Sequence, residues 1–118
     1  MSTTLEDARA FALALPETTE VDHHGIPSFR VQGRIFATVP DAEHLRIMVD
    51  EDGIHAAVAE HAAACQELYW GKRLACVVVE LAAIAPEPLR ELLIEAWFQK
   101  APTALARAFA GQRTGTAP

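Results

Sequence analysis

No apolar run in this chain approaches the length of a membrane span, and its start, Met1-Ser-Thr-Thr-Leu-Glu-Asp7, lacks the basic and then apolar run of a signal peptide. A cytoplasmic protein without a membrane partner is the expectation. Cysteine is scarce. Cys65 and Cys76 are the whole complement, and in a reducing compartment they read as buried thiols rather than a disulfide framework. Basic residues are in deficit as well. Ten Lys and Arg stand against sixteen Asp and Glu, a formal charge of −6, so the global drive to neutralise phosphates is missing and only a local basic face could hold nucleic acid. Catalytic signatures are lacking too. No Gly-rich phosphate loop follows a strand, no nucleophile elbow occurs, and Ser28 has no base at a recognisable spacing. The sequence therefore implies neither an enzyme activity nor a cofactor.

What is present is a folding pattern. With 51% hydrophobic and 22% charged residues over 118 positions, the chain can bury one core without disulfides or metal. It reads as a single domain over residues 1–110, followed by a flexible tail, Gly-Gln-Arg-Thr-Gly-Thr-Ala-Pro, over 111–118. The centre is the stretch from Gly25 to Val39, two strands joined at Gln32-Gly33, where glycine takes a positive φ without a Cβ penalty.

Ahead of it, Thr3 and Glu6 read as a capping box that opens a helix with the stripe Leu5, Ala8, Phe11, Ala12 and Leu15, stopped by Pro16. An edge strand is expected near Thr19 to His23. Beyond the hairpin, Pro40-Asp41-Ala-Glu43 turns the chain into His44 to Val49, where Leu45, Ile47 and Val49 alternate with Arg46 and Met48. A helix from about Ile54 to Ala64 would bury Ile54, Val58, Ala62 and Cys65, and a loop through Glu67 to Gly71 leads to a strand from Leu74 to Leu81 that is apolar on both faces. Leu89, Leu92, Leu93, Ala96 and Trp97 mark the strongest helix. Ala101-Pro102 breaks it, and a short helix from Thr103 to Ala110 follows. The order predicts an α+β fold of two layers, an antiparallel sheet of about five strands with helices packed on one face.

Pairing about a Gln32-Gly33 turn sets Val31 opposite Arg34, Arg30 opposite Ile35, Phe29 opposite Phe36 and Ser28 opposite Ala37. Phe29, Val31 and Phe36 would then meet the helices. Arg30, Ile35, Ala37 and Val39 would take the other face, joined by Arg46 and Met48 from the next strand. A face that mixes arginine with apolar groups suits a small molecule or a protein partner, a second copy of the chain included. The competing reading is ordinary exposed arginines whose stems cover apolar strand surface. Tyr69-Trp70-Gly71-Lys72-Arg73 sets aromatic beside basic residues, a pairing that stacks on bases and contacts phosphates. Its competing reading is an aromatic anchor that folds a loop onto the core.

Metal chemistry finds little footing. His23 and His24 are adjacent, and neighbours on an extended strand point to opposite faces. His61 and Cys65 stand four apart on the expected helix and share a face, yet no third ligand is in view. Asp50-Glu51-Asp52 lacks the ordered spacing of a calcium loop and reads as a solvated turn. No metal site is assigned.

Four segments in order, Leu13-Ala-Leu-Pro-Glu-Thr-Thr-Glu20, Gly25-Ile-Pro-Ser-Phe-Arg-Val-Gln-Gly-Arg-Ile-Phe-Ala37, Tyr69-Trp70-Gly71 and Leu92-Leu-Ile-Glu-Ala-Trp97 with Ala101-Pro102, together resemble the MmcQ/YjbR family. The resemblance implies a compact α+β fold like that of CyaY and frataxin, and a DNA-binding role that the family carries by fold analogy, with no agreed catalytic residues. A frataxin-like acidic ridge is not matched, since the first helix offers only Glu6 and Asp7 as adjacent acids. In this chain DNA binding would fall to Arg30, Arg34, Arg46, Trp70, Lys72 and Arg73. The alternative, a non-enzymatic protein- or small-molecule-binding domain, would use Arg30, Ile35, Arg46 and Met48.

Overall fold

Tight turns set the sheet. Strand β1 (Thr18–His23) meets β2 (Ile26–Val31) across His24-Gly25, at φ 52° and 90°, and β2 meets β3 (Arg34–Asp41) across Gln32-Gly33, at 47° and 82°. Positive φ at both central residues is the type I′ turn, whose twist matches antiparallel strands. Strands β5 (Cys65–Trp70) and β6 (Arg73–Glu80) join across Gly71-Lys72, where only Gly71 is at positive φ, 65°. The computed structural model, which describes residues 2–114, combines these with β4 (His44–Ile47) in one antiparallel sheet of six strands, ordered β1-β2-β3-β4-β6-β5. The extra strand is β5, which occupies an edge where the sequence pattern suggests a helix end and a loop.

Helix α1 (Leu5–Leu13) is capped by Thr4: its hydroxyl accepts from the Asp7 amide, and the Asp7 carboxylate accepts from the Thr4 amide. The capping box thus lies one residue beyond the expected Thr3 and Glu6 pair. Thr3 is buried instead, donating its hydroxyl to the Ile84 carbonyl at 2.8 Å and its amide to the Leu81 carbonyl at 3.0 Å. Helix α2 (Glu51–Glu60) is capped by Asp50, which accepts from the Gly53 amide at 2.8 Å, and it ends where His61 leaves helical geometry. Ala62 is therefore exposed, and Cys65 opens β5 rather than closing a helix. Helix α3 (Pro86–Lys100) stops where Ala101 turns extended ahead of Pro102. Helix α4 (Thr103–Thr114) runs past Ala110, so the expected tail begins as helix, and 115–118 lie outside the described residues.

The inner face of the sheet carries a row that crosses all the strands: Glu20, Phe29, Ala37, Ile47, Val77 and Glu67. The apolar members are fully buried, and each edge glutamate is held by a helix. Arg9 of α1 donates from Nε to Glu20 at 2.9 Å, and His55 of α2 lies 3.0 Å from Glu67. Trp97 of α3 is fully buried and donates from Nε1 to the Pro16 carbonyl at 3.0 Å, while its ring meets Phe98 and, from α4, Phe109. The expected α+β arrangement, with helices on one face of an antiparallel sheet, is the one observed.

The register departs from expectation at one point. Arg30 faces Ile35 and Val31 faces Arg34, but a bulge between Phe29 and Arg30 sets Phe29 opposite Ala37 and Ser28 opposite Thr38. Phe36 is the extra residue. A bulge moves every side chain beyond it to the other face, so Ala37 and Val39 join Phe36 in the core and Thr38 turns away from the helices.

Candidate ligand cleft on the open sheet face

The outer face carries its own cross-strand row: Val21, Ser28, Thr38, Arg46, Val78 and Gln66. Side chains directly opposite stand about 4.5–5.5 Å apart at Cβ, so Ser28, Thr38 and Arg46 form a polar stripe through a half-buried surface. Ser28 is satisfied, donating to the Val21 carbonyl at 2.7 Å and accepting from Arg30 Nε at 3.0 Å. Thr38 is not. It is 4% exposed, and its hydroxyl is buried without a hydrogen-bond partner. Arg46 is half-buried beside it, and its guanidinium makes no hydrogen bond or ion pair among the described residues. Its charge opposes the burial that raises the Cys76 thiol's pKa.

A cleft of about 1010 Å³ includes this part of the stripe. Ile26, Ile35, Met48 and Leu74 give it apolar wall, and Trp70, 50% exposed, adds an aromatic side with Arg73 over its ring at 5.9 Å. β4 runs through Met48 and Val49 straight into α2, so Asp50, Glu51 and Asp52 line the same cleft, as does Lys100 from the end of α3. None of these carboxylates is ion-paired with Arg46, Arg73 or Lys100.

The residues expected from sequence divide. Ile35, Arg46, Met48, Trp70 and Arg73 line the cleft together. Arg30 shares the open face outside the cleft lining, and its guanidinium is engaged by Ser28 and lies 3.4 Å from His23 Nδ1. Arg34 begins β3 and Lys72 sits in the β5–β6 turn, both exposed. The antiparallel register places those two turns at the same end of the sheet. Ala37 and Val39, expected on this face, lie in the core because of the bulge. Thr38 and the acidic rim escape the sequence reading. The signal for Thr38 is the run Ile35-Phe36-Ala37, which breaks strict alternation and leaves a bulge as one solution.

The His61 and Cys65 pairing does not form as a helix face, since His61 ends α2 and Cys65 is buried in the core from β5. Burial pushes the Cys65 thiol up to about 11. Among the described residues no group of three or more His, Cys, Asp or Glu could hold a metal ion, and no helix is long and apolar enough to cross a membrane.

The family model described as YjbR matches residues 13–99, from the end of α1 to the end of α3. No curated protein matches the chain. Among solved structures, the crystal structure of Deinococcus radiodurans protein DR2400, with the family-model domain DUF419, is similar at a TM-score of 0.71 and 21% identity, over 93% of this chain and 89% of that one. At that identity the likeness is one of fold.

Proposed function

The chain belongs to the YjbR family, and within it we propose a binding protein whose open sheet face takes a small organic acid. The acidic group is held by Arg46 and Thr38, and the apolar body rests on Ile35 and Met48. One observation carries this reading: an unpaired, half-buried guanidinium directly opposite a buried hydroxyl that has no partner. Leaving a buried hydroxyl unsatisfied costs about 1–3 kcal/mol, and a partly desolvated charge without a partner is unfavourable as well. An anionic oxygen that accepts from both removes both penalties, and the planar guanidinium suits a carboxylate or phosphate in two-point contact.

Calorimetric titration with 3-phenylpropionate and with phenyl phosphate tests the proposal. Saturable binding of at least one of them, weakened about tenfold or more in Arg46→Met, is the expected result. No binding of either at millimolar concentration would refute it.

A second reading, DNA binding, draws on Arg34, Lys72 and Arg73 beside half-exposed Trp70 at one end of the sheet. It predicts affinity for short duplex or single-stranded DNA that falls steeply with salt and is lost in Arg34→Glu/Lys72→Glu. The net charge of −6 weighs more heavily against polyanionic DNA than against a single acidic group held by Arg46.

A further inference from the structure

We infer that two copies of this chain pair along β5, edge to edge and antiparallel about a two-fold axis at Leu68, so that one continuous sheet runs through the dimer. Strand β5 ends the sheet, with β6 as its single strand neighbour among the described residues. Its backbone phase follows from its two ends. The Ala64 carbonyl accepts from the Glu80 amide at 2.8 Å, and Trp70 faces Arg73 across the two-residue Gly71-Lys72 turn, which a hydrogen-bonded pair closes. Antiparallel strands alternate, so Gln66, Leu68 and Trp70 turn their amides and carbonyls to β6, and Glu67 and Tyr69 turn theirs to the open edge.

Natural sheets guard an edge with lysine, proline, a bulge or a covering segment. Strand β5 has neither lysine nor proline, and the irregularity between Leu68 and Tyr69 places its extra residue, Ala75, in β6. Its one charge, Glu67, is held by His55 at 3.0 Å. Tyr69 and Trp70 are each 50% exposed, and aromatic side chains are the common anchors of protein interfaces. The opposite edge differs. The two-residue turn at His24-Gly25 phases β1 so that Glu20 and Asp22 carry its outward amides and carbonyls. A two-fold pairing centred on Glu20, Val21 or Asp22 sets acid directly against acid, which is destabilising.

The side chains of β5 select a second copy of the same strand. Centred on Leu68, the pairing sets Leu68 against Leu68 of the partner subunit, Glu67 against the partner subunit's Tyr69, and Gln66 against the partner subunit's Trp70. No like charges meet. Each pair of Glu67 and Tyr69 exchanges both of its backbone hydrogen bonds, and the axis doubles them. The Tyr69 hydroxyl donates to Glu67 of its own chain at 3.1 Å, and in the dimer the Glu67 carboxylate of the partner subunit lies opposite it on the same face. Centring on Glu67 would oppose two carboxylates instead. Because Trp70 lines the ligand cleft, the dimer brings Gln66 of the partner subunit to the rim of that cleft.

Sedimentation equilibrium of the full chain from about 1 to about 500 μM tests the dimer, and the mass is expected to rise from one chain to two. Tyr69 is half exposed, so its replacement leaves the core intact. Tyr69→Glu sets a carboxylate against Glu67 of the partner subunit and is expected to raise the dimer Kd about tenfold or more. Tyr69→Lys sets an ammonium there and is expected to dimerise at least about tenfold more tightly than Tyr69→Glu, a gap that narrows at high salt. Val21→Lys on β1 and Met48→Lys on the open face are expected to leave the Kd unchanged. Hydrogen exchange of the native chain needs no substitution: the amides of Glu67 and Tyr69 are expected to gain protection as concentration rises. A chain that stays monomeric throughout overturns the inference. So does one Kd shared by both Tyr69 variants, or a dimer lost in Val21→Lys or Met48→Lys and kept in Tyr69→Glu.

Discussion

Thr38 and Arg46 are direct partners across β3 and β4, the first with a buried hydroxyl that has no hydrogen-bond partner and the second with a half-buried guanidinium that has no counter-charge. Two unsatisfied groups side by side on the open face of the sheet are a local departure from stability rules, and such departures concentrate where a protein binds something. The bulge at Phe36 creates the pair, since without it Thr38 would point into the core.

Replacing Thr38 by valine keeps the shape and deletes the unpartnered hydroxyl. Thr38→Val is expected to raise the unfolding free energy of the unliganded protein by about 1–3 kcal/mol, read from the urea midpoint at constant m-value. The same variant is expected to bind 3-phenylpropionate more weakly. A loss of stability would mean that the hydroxyl already has a partner.

Glu95 on α3 stands near Asp50 and Glu60, and burial first, then those two charges, raises its pKa above the ordinary 4.5. The folded state therefore binds this proton more tightly than the unfolded chain. Stability from this group is full below the ordinary value and is lost as pH rises through the raised one. Glu95→Gln is expected to match the native chain near about pH 4 and to exceed it at about pH 7.5, by urea unfolding at both. Equal stability at the higher pH would contradict the raised pKa.

Both thiols should be protected by the fold. Burial drives Cys65 to about 11 and raises Cys76 despite the charge of Arg46, and only the thiolate reacts. Iodoacetamide is expected to modify both cysteines about a hundredfold more slowly in the native state than in urea, followed by mass spectrometry. Rapid native alkylation of Cys65 would contradict its placement in the core.

Much of the fold is legible in the sequence because its signals are local. Gln32-Gly33, the alternation of Leu45 and Ile47, and the Leu89 to Trp97 stripe each depend on neighbours within one element, and each forms as expected. Strand β5 is harder to read, since an edge strand carrying Gln66, Glu67 and Tyr69 has little apolar alternation, and the Gly71 turn is its best signal. The capping residue shifts by one because Thr3 gains more from the buried carbonyl of Ile84, some eighty residues away, than from the helix end. The cleft shares this difficulty. Arg46, Met48, Ile35, Trp70 and Arg73 are visible by type, but Thr38 enters only through a bulge that pairing between strands decides, and the acids of α2 enter only through the path of the chain beyond β4.

An NMR titration of the isotope-labelled chain with 3-phenylpropionate tests the organic-acid cleft most directly. The predicted result is saturable shifts that follow one Kd at the amides of Ile35, Thr38, Arg46 and Met48, with Arg34 and Lys72 unmoved and the Kd raised about tenfold or more in Arg46→Met. Shifts centred on Arg34 and Lys72, or none at Thr38 and Arg46 at any concentration, would contradict it.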